Sequence, residues 1–176
     1  MSTIGILLAI PEPYGGELRA RRAAYGDPQA AIVPTHVTLL PPTEVDPEAV
    51  PEIEGHLAAI AARGRPFRMR LRGTGTFRPI SRVVFVRVAQ GLLECVELEA
   101  QVRAGVLERE LQFPYHPHVT VAHDLGDATL DAAQADLATY DAEFDIGGFG
   151  LYQQESVGEW RTVRSFPFPS TVRAAA

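Results

Sequence analysis

The chain contains no lysine; all 16 of its Lys-plus-Arg positions are arginine. Schiff-base catalysis and a phosphate loop built around a lysine are therefore excluded. A single cysteine, Cys95, excludes an internal disulfide and fits a reducing compartment, so a cytoplasmic location is expected. Cys95 lies in the helix-like stretch "LLECVELEAQV" and reads as a packing residue. No apolar run reaches the ~20 residues of a membrane span, and no membrane partner is expected. The opening "MSTIGILLAIPEPYGG" lacks the basic start of a signal peptide and reads as a first strand. Positive charge is also scarce, with 16 basic against 22 acidic residues and a net charge of −6. Long duplex nucleic acid is thus a poor partner, because phosphate contacts dominate that affinity. A small phosphorylated ligand or an RNA end in a local basic pocket stays open.

Apolar material is plentiful: 46% of the 176 residues are hydrophobic. That suffices for a packed core, and the length fits one domain over 1–176. The patterning predicts the order strand, helix, strand, helix, strand, strand, helix, strand, helix, strand, strand. "TIGILLAIP" is a strand, "GGELRARRAAY" a helix stopped by "GDP", and "HVTLLPP" a strand closed by its two prolines. "DPEAVPEIEGHLAAIAARG" carries helix start and stop signals. In "FRMRLRG", Phe67, Met69 and Leu71 alternate with Arg68, Arg70 and Arg72, and a turn at "RPIS" leads to "RVVFVRV", which predicts a hairpin. The spacing predicts helices over 91–111 and 128–140, then a final pair of strands, "EFDIGGFGLYQQE" and "EWRTVRSFPF". The strand–helix–strand opening recurs loosely in the second half, which points to two intertwined lobes across a shared cleft.

One short pattern occurs twice. "PTHVTLLPP" and "PHVTVAHD" place His-Val-Thr in each half, and the two histidines are 82 residues apart (118 − 36). On a strand, residues i and i+2 share a face, so His36 projects with Thr38 and His118 with Thr120. Imidazole exchanges a proton near neutrality, and a threonine hydroxyl can donate to a phosphate oxygen. In-line displacement at phosphorus needs a base on the attacking oxygen and an acid on the leaving one. Two histidines facing each other supply both, and the threonines hold the charge developing between them. A single His-x-Thr would be background; the pair points to a phosphoryl site that needs no metal or other cofactor.

These two motifs, with the strand "IGILLAIP" and the late "GEWRTVRSFPF", resemble the two-histidine (2H) phosphoesterase superfamily, in its 2′-5′ RNA ligase-like or 2′,3′-cyclic phosphodiesterase branch. The resemblance runs to about Phe168. It implies an α+β, bilobal, pseudo-symmetric fold, with two antiparallel sheets and outer helices around a central cleft. It implies that His36 and His118 are the catalytic acid and base and that Thr38 and Thr120 bind phosphate. The assignment adopted is His118 as base and His36 as acid, exchanged if the reaction runs as ligation. The implied partners are RNA ends or small cyclic-phosphate nucleotides, with the protein acting as a monomer. One position departs from the branch, where an arginine often stands five residues after the second motif histidine and this chain has His123. On a regular strand His123 would face away from His118, so its entry into the site requires a bulge or a strand end.

Other readings compete. His116, His118 and His123 could instead form a metal-dependent hydrolase centre with Asp124. A non-catalytic module could bind nucleotides or RNA ends in the same cleft. His123 and Tyr115 are candidates for contacting substrate; Tyr14 and Phe77 could stack on a base, and Arg78 and Arg82 could reach the cleft rim. The Arg68, Arg70, Arg72 stripe could follow an RNA backbone, although a solvated strand face accounts for it more simply.

Overall fold

The structure, a computed structural model, describes residues 1–155 and 158–170; residues 171–176 of the expected domain lie outside the described residues. Among the described residues eight strands form: β1 (Ser2–Ala9), β2 (His36–Val45), β3 (Phe67–Thr76), β4 (Val83–Gln90), β5 (His118–His123), β6 (Asp141–Ile146), β7 (Gly148–Gln154) and β8 (Trp160–Pro167). Four α-helices accompany them: α1 (Tyr14–Ala24), α2 (Val50–Arg63), α3 (Leu92–Val102) and α4 (Asp127–Asp136). The strands make two antiparallel four-stranded sheets, ordered β2-β1-β7-β8 and β5-β4-β3-β6. The α+β class and the paired antiparallel sheets are therefore as the resemblance implied. The two motif strands, β2 and β5, are the free edges of their sheets and lie against each other at the seam.

Burial explains this arrangement. Ile6 and Leu8 of the first sheet share one apolar cluster with Leu71, Val84 and Val86 of the second. α2 begins on a proline and adds Ile53, Leu57 and Ile60 to the same cluster from one face. On β3 the apolar positions Met69 and Leu71 are buried, and the alternate arginines pair across to β6. Arg70 reaches Asp141 at 2.7 Å and Arg68 reaches Asp145 at 2.9 Å. Two of the three arginines in the stripe, Arg68 and Arg70, are thus charge-paired on the sheet face. Arg78 and Arg82 pair similarly, with Asp131 at 2.8 Å and Asp127 at 3.1 Å.

Three expectations need correction. Pro41 and Pro42 do not end the second strand, which continues to Val45. They sit on an edge strand where pairing jumps from Ile6↔Leu40 to Ile4↔Thr43, so no ladder bond is demanded of them. The helix expected over 91–111 stops at Val102, and Gly105 at φ 63° turns the chain away. "EFDIGGFGLYQQE" is two strands in different sheets, with β6 on β3 and β7 between β1 and β8. The step at Gly147–Gly148 carries the chain across. A Cβ on Gly148 would lie 2.4 Å from the Phe166 carbonyl oxygen, so only glycine fits there.

Candidate active site

The two motif strands are alike in more than sequence. Both start with the same alternation, half-buried His36, Thr38, His118 and Thr120 against buried Val37, Leu39, Val119 and Val121. Each also carries a bulge one residue past its threonine. β2 pairs Leu7↔Thr38 and then Ile6↔Leu40, leaving Leu39 over. β5 pairs Phe85↔Thr120 and then Val84↔Ala122, leaving Val121 over. A bulge reverses the alternation beyond it. His123 thereby returns to the side of Thr120, meeting the condition that the sequence set for its entry into the site.

The imidazoles are held in the same way. His36 Nδ1 is 2.6 Å from the Pro34 carbonyl oxygen, and His118 Nδ1 is 2.6 Å from the His116 carbonyl oxygen. A carbonyl only accepts, so each Nδ1 carries the proton and donates it, leaving Nε2 without one. Phe77 stands edge-on to His118, its centroid 4.9 Å away at 89°, and Phe85 flanks the same ring at 5.3 Å. Burial lowers the His36 pKa to about 4, helped by the Arg22 and His118 charges and opposed by the Pro34 bond. Burial also lowers His118, with the His116 charge acting in the same direction. Both rings therefore rest neutral at pH 7.

A pH dependence of stability follows. The unfolded chain protonates His36 near pH 6.5, its ordinary value, whereas the folded chain resists until about pH 4. Stability is lost as pH falls through that window and changes no further from this group below it. Urea midpoints measured from pH 7.5 to 4 should drop more for the wild type than for His36→Gln. Equal drops would show that folding does not depress His36.

Two cavities meet at Thr38. One, of about 290 Å³, is lined by His36, Thr38, Thr120, His123, Arg22 and Trp160. The other, of about 480 Å³, takes in Thr38, His118, His116, Tyr115, Phe77 and Phe113 and is mainly apolar. Each histidine borders one cavity and Thr38 borders both. Tyr115 lines the apolar side, but its hydroxyl donates to the Thr38 carbonyl at 2.7 Å and so braces β2. His123 Nε2 lies 3.2 Å from Asp124 Oδ2. Tyr14 is partly buried and stacks on Phe144 at 5.3 Å, against the core.

The metal reading finds no geometry to support it. His116 and His118 lie with ring centroids 6.0 Å apart, while His123 borders the other cavity. Among the described residues, no three His, Cys, Asp or Glu side chains come together in a way that could hold a metal ion. Cys95 is buried, and desolvation pushes its thiol up to about 12, which suits packing rather than nucleophilic attack.

Two residues here escaped sequence reasoning. Arg22, at the end of α1, is 8% exposed, and its Nε donates to Asp27 Oδ2 at 2.7 Å. Asp27 is 3% exposed and also accepts from the backbone N–H groups of Gln29 and His123, at 2.9 and 3.1 Å. In "GELRARRAAYGDP" the arginines and the aspartate look like surface helix and turn. The available signal was that Asp-Pro caps the next turn, which draws Asp27 inward.

Comparison with known proteins matches residues 10–158 to the 2′-5′ RNA ligase superfamily. A Bacillus licheniformis protein, named provisionally as a phosphoesterase, is 29% identical over 142 residues, 80% of this chain and 83% of its own. A similarly named Bacillus thuringiensis protein is 29% identical over 165 residues, covering 93% and 95%. Among solved structures, a Thermus thermophilus protein superposes with a TM-score of 0.68 at 24% identity, covering 94% and 97%. E. coli LigT in apo form gives 0.66 at 20% identity, covering 96% and 98%, and LigT has also been solved with 3′-AMP and with ATP. At these identities the structural likeness concerns the fold.

Proposed function

Because the chain belongs to the 2′-5′ RNA ligase superfamily, we propose that it is a metal-independent phosphoesterase opening 2′,3′-cyclic phosphates on RNA ends or nucleotides. His118 Nε2 takes a proton from water as the water attacks phosphorus. The bond from phosphorus to one ribose oxygen breaks, and His36 Nε2 gives that oxygen its proton. The product is a phosphomonoester, and solvent returns the two imidazoles to their starting states. Thr38 and Thr120 donate to the non-bridging oxygens, where charge builds. An anionic phosphate between the rings raises their proton affinity, so one arrives protonated with the substrate. Run in reverse, with the ring closed and water released, the same two groups exchange roles.

The observation carrying this reading is the matched anchoring of the two rings by Nδ1, on edge strands of opposite sheets that meet at Thr38. A purely binding module has no need of two free, proton-exchanging nitrogens. The nucleotides held by LigT support a nucleotide-sized substrate. The test is turnover of 2′,3′-cyclic AMP and of oligonucleotides ending in a cyclic phosphate, with and without EDTA. Equal rates with and without chelator are expected. Ligand binding with no turnover would favour the binding module, and loss of rate in EDTA restored by a divalent ion would overturn the metal-free mechanism.

A further inference from the structure

We propose that Arg22 is a substrate-binding residue whose guanidinium holds the scissile phosphate beside His36, and that Asp27 positions it. The inference rests on the reading above, in which a phosphate sits between the two histidines.

Four observations converge on it. Arg22 lines the same cavity as His36, Thr38 and Thr120, so its charge faces the groups that would touch the phosphate. It is more than nine-tenths buried, and burying a guanidinium is costly without a compensating role or partner. Only its Nε edge is engaged. Asp27 takes that edge at 2.7 Å, and among the described residues neither terminal amino group has a protein partner. Arginine is the side chain best able to offer two parallel N–H groups to a phosphate while a third holds it in place. Finally, among the described residues the other cavity has no buried arginine on its wall: its Arg109 is exposed and donates to Thr43 at 2.8 Å. Its wall includes Glu99, 3% exposed, which accepts from Arg103 at 2.6 Å. The buried cation thus lies on the His36 side, and the mainly apolar side is left for a base or sugar.

Asp27 is suited to positioning rather than binding. Its carboxylate ties the end of α1 to the N-terminus of the next turn and, through the His123 N–H, to the end of β5. Arg22 is therefore fixed relative to β5 before any ligand arrives. The arrangement also accounts for His123. With a permanent cation supplied from α1, a second one five residues after His118 is not required, and His123 can pair with Asp124 instead.

The test uses the full chain with Arg22→Gln, Arg22→Lys and the double variant Arg22→Gln/Asp27→Asn. The double variant removes both charges together, so no unpaired carboxylate is left buried if Arg22→Gln fails to fold. Two readouts are taken: steady-state turnover of 2′,3′-cyclic AMP, and the rise in Tm caused by inorganic phosphate. In the folded variants lacking the cation, kcat/KM should fall about 10²- to 10³-fold, with KM rising as phosphate binding is lost. Arg22→Lys should lie between, added guanidinium should restore at least part of the rate, and phosphate should no longer raise Tm. The NMR titration of His36 should also move upward, since one of the charges depressing it has gone. Rates within threefold of wild type in a folded variant lacking the cation would overturn the proposal while leaving the two-histidine reading intact. The converse separates them as well: if His36→Ala and His118→Ala stayed active but phosphate stabilisation still required Arg22, the chemistry would be wrong and the anion site right.

Discussion

His36→Ala and His118→Ala should each lower turnover of 2′,3′-cyclic AMP by about 10³-fold or more, with Tm within a few degrees of wild type. The size follows from the role, since one positioned acid or base contributes roughly 10²- to 10⁴-fold and misprotonation of the remaining ring adds to the loss. The small effect on stability follows from the surroundings. Both rings are only half-buried, and among the described residues each makes one hydrogen bond, to a carbonyl two residues away. A leaving group that needs no proton separates the two variants. With a p-nitrophenyl phosphodiester, His36→Ala should regain most of its rate as the acid variant, and His118→Ala should not. Recovery by His118→Ala instead would exchange the roles, and near-wild-type rates for either variant on the cyclic substrate would remove the mechanism altogether.

Gly148→Ala lowers Tm by roughly 10 °C, whereas the same change one residue earlier, Gly147→Ala, is close to neutral. At Gly148 the new Cβ would meet the Phe166 carbonyl oxygen at 2.4 Å and Pro167 Cα at 2.8 Å, all of it backbone of the paired strand. Relief requires β7 and β8 to part. Overpacking of this kind costs about 3 kcal/mol, and in a chain of this size each kcal/mol moves Tm by about 2–4 °C. Gly147 has no atom within 4 Å of its would-be Cβ and does not adopt the left-handed conformation. Thermal melts of the two variants in parallel check the pair. A neutral Gly148→Ala would mean that the crossing between sheets is looser than the close approach to β8 implies.

Much of this molecule was readable from local pattern. The period-two alternation of Phe67, Met69 and Leu71 marked β3, and the turn residues "RPIS" marked the hairpin to β4. The repeated His-Val-Thr located both edge strands that meet at the seam. Misreadings arose where a local rule met a long-range partner. Two prolines normally close a strand, but at Pro41 and Pro42 the edge position removes the reason. A continuous β-rich run normally means one strand, but at Gly147–Gly148 its two halves bury against different sheets.

The sequence by itself determined the chemistry on offer: two imidazoles, each with a threonine two residues on, in strands whose other face is apolar. Alternation is a property of neighbouring residues, so it is written in the chain. The tertiary structure decided how that chemistry is set. It placed a bulge after each threonine, which turned His123 toward the site, and it opened one polar and one apolar cavity on either side of Thr38. It also buried Arg22 on Asp27, which reaches as well to His123, 96 residues away. Burial and pairing at that separation depend on how two sheets meet. No pattern of adjacent residues carries that information.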